Sequence, residues 1–197
     1  VSETIEQSSN KAALLARAQS LGLYFPKTRT FHFDEPVDKI IQSIKRHFGF
    51  PVVIKPPSGT GCSGLSIART EVEVAEAIKK VGNDSFFNGV IAQEYVQGIN
   101  TSVSAICTDT DVSPVSLNLQ KIRLSDPLAD SSYTGGQVPF EHPLKTAAFN
   151  ATKRLLTSYK GLRGYVGVDF VLTKDKAYVM EVNPRLTTSY IGLRRVI

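Results

Sequence analysis

The stretch GYVGVDFVLTKDKAYVMEVNPR, residues 164–185, decides how the second half of this chain folds. Two runs that alternate apolar with polar residues flank Lys174-Asp175-Lys176, and this pattern predicts an antiparallel β-hairpin with its turn at those residues. Such a turn fixes which residues face each other across the hairpin. Apolar residues then meet on one face, where Val168 pairs with Val182, Phe170 with Met180 and Leu172 with Tyr178.

The other face of the predicted hairpin carries oxygen ligands. Asp169 lies opposite Glu181 and Gly167 lies opposite Asn183, and the Cβ atoms of such a pair are about 5 Å apart. Two carboxylates this close repel each other unless a cation lies between them or one is protonated. Asp169, Glu181 and Asn183 are therefore candidate ligands for Mg²⁺ or Mn²⁺. The alternative is an ordinary solvated face of a sheet.

A second motif begins where the apolar strand PVVIK ends at Lys55. The loop PPSGTGCSG (56–64) follows, and its glycines allow backbone N–H groups to approach phosphate oxygens closely. The loop is not a Walker A motif, because Leu65 stands where that motif requires lysine. Two interpretations stay open, a phosphate-binding lysine with its loop or an ordinary glycine-rich turn.

A third motif is IAQEYVQGIN (91–100), which reads as the end of one strand, a tight turn at Gly98 and a returning strand. A hinge of this kind can offer backbone groups to a nucleotide base and a polar side chain to a ribose. A plain β-hairpin explains the same residues.

Composition excludes several classes of protein. The 197 residues are 42% hydrophobic and 21% charged, which is typical of a globular chain with a core. No apolar run is long enough to span a bilayer, so we expect no membrane partner. The formal charge of +5 is scattered without a nucleic-acid-binding motif, and a polyphosphate ligand explains it without nucleic acid. The two cysteines lack metal-ligand spacing and are expected to be free thiols in a cytoplasmic protein.

The order of predicted elements indicates an α+β fold with two packed lobes. Helices are predicted at 36–48, 71–81 and 146–160, and a first helix is predicted behind an N-cap at Asn10. Residues 125–143, rich in Ser, Asp, Gly and Pro, are expected to form the longest stretch without regular structure. The predicted domains are a lead-in helix (1–22), an N-terminal lobe (23–96) and a C-terminal lobe (97–197).

Taken in order, the three motifs resemble the ATP-grasp superfamily over nearly the whole chain from about residue 10. The segments YTGGQVPF (133–140) and NPRLTTSYIGLRR (183–195) are similar to its carboxylate–amine ligase branch. This resemblance implies the ATP-grasp fold, in which two α+β lobes grip a nucleotide and the C-terminal lobe carries an antiparallel sheet.

The resemblance also implies roles for individual residues. Asp169, Glu181 and Asn183 match the metal ligands, and Lys55 matches a lysine that contacts the nucleotide phosphates. Lys121 is a second phosphate contact. The remaining nucleotide contacts it implies are Lys11 at the start of the first helix, the loop residues Ser58, Gly59, Thr60, Gly61 and Gly64, the adenine hinge Glu94, Tyr95 and Val96, and Asn100 at the ribose.

This sequence departs from some members of the superfamily in two places. Many carry a glutamate where Asn100 stands, and some carry an arginine at the position of Gly167. The arginine that steadies the transferred phosphoryl group must then come from elsewhere. Arg185 is the first candidate and Arg163 the second.

The implied activity is ATP-dependent formation of an amide bond through an acylphosphate. Its cofactors would be ATP with Mg²⁺ or Mn²⁺, and its substrates a small carboxylate, such as glutamate or another amino acid, and an amine. The alternative is an ATP-binding module with reduced activity that acts as a sensor or subunit, and a small-molecule kinase is a weaker third hypothesis. A homodimer is left open. The chain starts at Val1 and its single methionine is Met180, so it lacks an initiator methionine of its own. Members of the ATP-grasp superfamily usually carry a further α/β domain ahead of the nucleotide-binding lobes, and the resemblance therefore implies that such a domain lies outside this sequence.

Overall fold

The computed structural model describes Ser8 and residues 11–57, 61–83 and 88–196. Along these residues the elements are α1 (Lys11–Ser20), β1 (Thr28–His32), α2 (Val37–His47), β2 (Val52–Lys55), β3 (Ser66–Ala68), α3 (Glu71–Gly82), β4 (Gly89–Glu94), β5 (Ile99–Cys107), β6 (Val112–Arg123), β7 (Ser132–Gln137), α4 (Lys145–Thr157), β8 (Gly164–Leu172), β9 (Ala177–Asn183) and α5 (Ser189–Leu193). The α+β class is confirmed, and α2, α3 and α4 lie where periodicity predicts them. The predicted N-cap, Asn10, lies outside the described residues.

The chain divides into two compact units. The small unit contains Pro26–Tyr95 and Ile122–Thr134, and the large unit contains the described residues up to Phe25 together with Val96–Lys121 and the chain from Gly135 onward. Among the described helices, none has both the length and the apolar character that crossing a membrane requires.

The small unit is built on a four-stranded antiparallel sheet with the order β1-β4-β2-β3. Its core forms where α2 and α3 cover one face of this sheet, because both helices repeat apolar residues along one side. Ile40 and Ile44 of α2 and Val74 of α3 pack there with Val52 and Ile54 of β2. The opposite face presents Lys55 and Gln93.

The large unit is built on a five-stranded sheet with the order β7-β6-β5-β8-β9. On one face Val103, Val168 and Phe170 form the core with Leu14 of α1 and Leu155 of α4. Because successive strand residues point to opposite faces, Ser102, Ser104 and Asp169 lie on the other face. The predicted loop 125–143 is wrong in part, since β7 lies within it and joins the edge of this sheet.

The hairpin of β8 and β9 keeps the predicted register only next to the carboxylates. Val168 pairs with Val182, but Phe170 pairs with Val179 and Leu172 with Ala177, so the predicted Phe170–Met180 and Leu172–Tyr178 pairs are wrong. A β-bulge between Asp169 and Phe170 accounts for the difference, and the turn occupies residues 173–176. The physical reason is burial. Val179 and Val182 are both fully buried, and strict alternation cannot place two residues three apart on one face.

Candidate functional site

The carboxylate pair predicted from the hairpin is present in the large unit. Asp169 of β8 lies directly opposite Glu181 of β9, and Gly167 lies opposite Asn183. The bulge begins one residue after Asp169 and therefore leaves this part of the register intact. Asp169, Glu181 and Asn183 are each partly buried.

Hydrogen bonds from two amides hold the Asp169 carboxylate. Gln120 Nε2 of β6 donates to its Oδ1 at 3.0 Å, and Asn183 Nδ2 donates to its Oδ2 at 3.0 Å. Gln120 reaches this carboxylate across the intervening strand β5. Desolvation, together with the charge of Glu181, raises the pKa of Asp169 to about 7 in spite of these bonds and of the nearby Arg185.

Lys11 is the positive charge beside the second carboxylate. It begins α1, is buried, and places its Nζ 3.2 Å from Glu181 Oε1. The resemblance implies only a nucleotide contact for Lys11, and the structure brings its ammonium group to the carboxylate pair as well. Glu181 is about one-third exposed, at 32% of its side chain, so this ion pair remains accessible to solvent on one side.

The donor set at this pair fits a hard divalent cation. Two carboxylates and one amide oxygen are ligands of the kind Mg²⁺ and Mn²⁺ take, with water and phosphate oxygens completing the shell. Within the described residues no group of three or more His, Cys, Asp or Glu side chains could hold a metal, so Asn183 is needed as the third ligand. The metal role of these three residues stays a prediction.

The structure places the two candidate arginines far apart. Arg185 lies beside the carboxylates, where its guanidinium donates to Asn183 Oδ1 at 3.3 Å and to the Leu186 carbonyl at 3.2 Å. Arg163 precedes β8, six residues before Asp169 and therefore about 20 Å away along the strand. It forms an ion pair with Asp109 in the turn between β5 and β6. The geometry favours Arg185 and does not bring Arg163 to the site.

Lys55 occupies a polar site of its own in the small unit. Its buried Nζ donates to Gln93 Oε1 at 2.8 Å, and Gln93 Nε2 donates to Thr28 Oγ1 at 2.8 Å. Thr28 in turn donates to the Pro26 carbonyl at 2.8 Å. This chain of bonds orients a buried ammonium group at the end of β2.

The loop after β2 is described only in its second half. Ser58, Gly59 and Thr60 lie outside the described residues, so their predicted phosphate contacts stay a prediction. Gly61 and Gly64 have φ values of 66° and 68°, and Cys62 between them has φ 69°. Three residues in this short segment have a left-handed backbone conformation. Residues other than glycine rarely adopt it, which explains why the segment is rich in glycine.

The remaining predicted contacts lie on β4, β5 and β6. Glu94, at the end of β4, accepts a hydrogen bond from the Lys27 N–H at 3.2 Å through its carboxylate. The chain leaves the small unit between Tyr95 and Val96, and Asn100 lies on β5 in the large unit. Lys121 is exposed and follows Gln120 on β6. Their contacts with a nucleotide stay predictions.

Sequence reasoning missed Gln93 and Gln120. The sequence contains a signal for Gln93, because this polar residue follows the apolar run 90–92 within one strand. The structure buries its side chain, which is only 1% exposed. Gln120 alternates with Ser116 and Asn118 along β6, which indicates a polar face of the sheet. Its partner cannot be read from the sequence, because the order β6-β5-β8 joins strands that are distant along the chain.

Three comparisons relate this chain to known proteins. A family model described as an ATP-grasp domain matches residues 8–189. The tyramine–L-glutamate ligase of Methanocaldococcus jannaschii is 38% identical over 109 residues, which are 55% of this chain and 33% of that protein. This alignment spans about a third of the relative's length.

Solved structures with low sequence identity share the fold. The L-amino acid ligase from Bacillus licheniformis superimposes with a TM-score of 0.71 at 20% identity, over 96% of this chain and 43% of its own. The N5-carboxyaminoimidazole synthase from Aspergillus clavatus was solved with ADP and a ribonucleotide. It superimposes with a TM-score of 0.78 at 15% identity, over 95% of this chain and 46% of its own. At these identities the likeness concerns the fold alone.

Proposed function

This chain belongs to the ATP-grasp family, and from that premise we propose that it supplies the ATP- and metal-binding part of a carboxylate–amine ligase. The observation that carries the proposal is the Asp169–Glu181 pair with Asn183 and Arg185 beside it. A face with two carboxylates, an amide and an arginine combines ligands for a divalent cation with a donor for phosphoryl oxygens.

Each part of the site receives a role in this proposal. Asp169, Glu181 and Asn183 would hold Mg²⁺, whose charge would offset that of the phosphate oxygens. Lys55 and the N–H groups of the following loop bind the phosphates, and Lys11 and Lys121 add positive charge. The backbone at Glu94, Tyr95 and Val96 receives adenine, and Asn100 binds the ribose.

The proposed reaction has two steps. An oxygen of the substrate carboxylate attacks the γ-phosphorus and ADP leaves, which gives an acylphosphate. The amine nitrogen then attacks the acyl carbon, phosphate leaves, and the nitrogen loses a proton as the amide forms. The protein contributes position and positive charge, with Arg185 directed at the transferred group, and it needs no covalent nucleophile.

The name of one relative favours an amino acid as the carboxylate substrate. The tyramine–L-glutamate ligase, which is 38% identical over 109 residues, acts by its name on an amino acid. We therefore propose glutamate or another amino acid as the acid and a small primary amine as its partner.

Substitution of one residue in each unit tests the proposal. Lys55→Met and Glu181→Gln are expected to lower amine-dependent ADP release at least about a hundredfold. The first removes a positive charge that acts on the phosphates, and the second removes a carboxylate that would hold Mg²⁺. Lys174→Met in the β8–β9 turn and Glu76→Gln on α3 are matched controls, since both residues are exposed, and they should stay within about twofold of wild type. Mass spectrometry of the product identifies the amide.

Three results would contradict the ligase. Unchanged ADP release in Lys55→Met and Glu181→Gln would remove both residues from the mechanism. ATP binding without turnover across a panel of amino acids and amines would favour a binding module. A phosphorylated product without amide would favour a kinase.

A further inference from the structure

Hydrogen bonds between hydroxyl groups connect residues 184–190, the segment after β9, to the polar face of the large-unit sheet. The Tyr165 hydroxyl lies 2.7 Å from Ser104 Oγ on β5 and 2.9 Å from Thr187 Oγ1. The Tyr165 ring packs edge to face against Tyr190, with centroids 5.7 Å apart. Ser189 Oγ lies 3.3 Å from Ser102 Oγ, which attaches the segment a second time.

Asn118 joins these two attachments into one network. Its Nδ2 donates to Ser102 Oγ at 3.3 Å and to Ser104 Oγ at 3.0 Å, and its Oδ1 accepts from Ser116 Oγ at 2.8 Å. Asn118, Ser102 and Ser104 are almost fully buried. Buried polar groups are costly when unpaired, so a network in which each is paired favours one arrangement of the segment.

Gly167 provides the space that this arrangement requires. A Cβ at position 167 would lie 2.7 Å from Thr187 Cγ2 and 3.6 Å from Thr187 Oγ1. Since real Cβ atoms essentially never approach another atom within 3.0 Å, any side chain at position 167 must displace Thr187. The Thr187 methyl group therefore lies where a side chain of residue 167 would stand.

Arg185 depends on this segment for its position. Its guanidinium donates to Asn183 Oδ1 and to the Leu186 carbonyl, both local to the same stretch of chain. We propose that Tyr165, Gly167 and Thr187 are positioning residues that fix residues 184–190 on the sheet and so keep Arg185 beside Asn183. This inference rests on the proposed function, in which Arg185 serves the transferred phosphoryl group.

Removal of one hydroxyl tests the network in the full chain. Tyr165→Phe is expected to lower ATP turnover at least about tenfold, because a small displacement of a group that acts on the reacting atoms is costly. The Kd for ADP should stay within about twofold of the wild-type value, since ADP lacks the transferred group. A folding defect would instead weaken both ATP turnover and ADP binding. Tyr190→Phe is the matched control, because it keeps the ring contact with Tyr165 and removes a hydroxyl that takes no part in the network.

A pair of substitutions tests the packing of Gly167 against Thr187. Gly167→Ala should lower turnover as Tyr165→Phe does. Thr187→Ser removes only the Cγ2 atom that a new Cβ would meet and keeps the oxygen bonded to Tyr165. In the double variant that combines Gly167→Ala with Thr187→Ser, ATP turnover should return to within about threefold of the turnover of Thr187→Ser alone.

Hydrogen exchange at the Tyr190 amide gives a readout without catalysis. This amide donates to the Thr187 carbonyl at 3.0 Å, and it should exchange faster in Tyr165→Phe and Gly167→Ala and recover in the double variant. Wild-type turnover in Tyr165→Phe, or no rescue of Gly167→Ala by Thr187→Ser, would overturn the inference. A wild-type chain that never consumes ATP would instead overturn the proposed function, and unchanged exchange in the variants would still refute the network.

Discussion

At the scale of single residues, the charges of the carboxylate pair are balanced unequally. Glu181 has the ammonium group of Lys11 3.2 Å away, whereas Asp169 is held by the neutral amides of Gln120 and Asn183. Desolvation, together with the charge of Glu181, raises the pKa of Asp169 to about 7, and the two amide hydrogen bonds offset only part of this rise. A divalent cation bound here would supply the missing positive charge and compete with the proton on Asp169.

Without divalent metal, the free energy of unfolding should fall as the pH rises from about 4 to 7. An aspartate in the unfolded chain releases its proton near a pKa of about 3.9, whereas native Asp169 keeps its proton up to about pH 7. The native state then binds more protons within this window, so stability is lost as pH rises, by at most about 1.4 kcal/mol per pH unit.

Urea unfolding at pH 5, 6 and 7 measures this effect of Asp169. Asp169→Asn should lose the pH-dependent part, and Asp175→Asn, in the exposed turn of the same hairpin, should keep it. If the free energies of unfolding of wild type and Asp169→Asn change in parallel across the three pH values, the pKa of Asp169 is not raised in the native state.

At the scale of elements, the β8–β9 hairpin shows what alternation can and cannot predict. The pairing of Asp169 with Glu181 follows from alternation because the residues toward the open end of the hairpin obey it. The pairing nearer the turn does not, because Val179 and Val182 both enter the core and the chain needs an extra residue between them. The spacing of three residues between these two valines is therefore a signal of the bulge once both are assigned to the core.

Charged substitutions at neighbouring positions of β9 distinguish the bulged register from a regular one. Val179→Lys should cost about 3 kcal/mol or more, because Val179 is fully buried against Phe170. Met180→Lys should cost less than about 1 kcal/mol, because Met180 is only partly buried. Chemical denaturation measures both. A regular hairpin predicts the reverse order, since Met180 would then face the core.

At the scale of the whole molecule, the sequence predicts elements and local pairs better than it predicts distant partners. The helices α2 and α3 and the Asp169–Glu181 pair follow from periodicity over a few residues. The bonds from Gln120 to Asp169 and from Tyr165 to Thr187 depend on how strands far apart in sequence are ordered in a sheet, and local patterns contain no information on that order. The Lys11–Glu181 ion pair cannot be predicted from local patterns either, because its two residues are far apart in the sequence.

The two cysteines, neither of which forms a disulfide bond, allow each unit to be followed separately. Cys62 lies partly exposed in the glycine-rich loop of the small unit, and Cys107 is buried at the end of β5 in the large unit. Burial raises the pKa of the Cys107 thiol to about 11, and it is the thiolate form that attacks a disulfide reagent. At pH 8 a disulfide reagent should therefore modify one thiol per native chain rapidly and Cys107 at least about a hundredfold more slowly.

Single-cysteine variants assign the two phases of this thiol reaction. Cys62→Ser should abolish the fast phase, and Cys107→Ala should leave it unchanged. ATP with Mg²⁺ should slow only the fast phase, because the loop that carries Cys62 is the proposed phosphate-binding loop. Two thiols that react equally fast in the native protein would show that the large unit opens readily at Cys107. A Cys62 rate that saturating ATP leaves unchanged would argue against nucleotide binding at this loop.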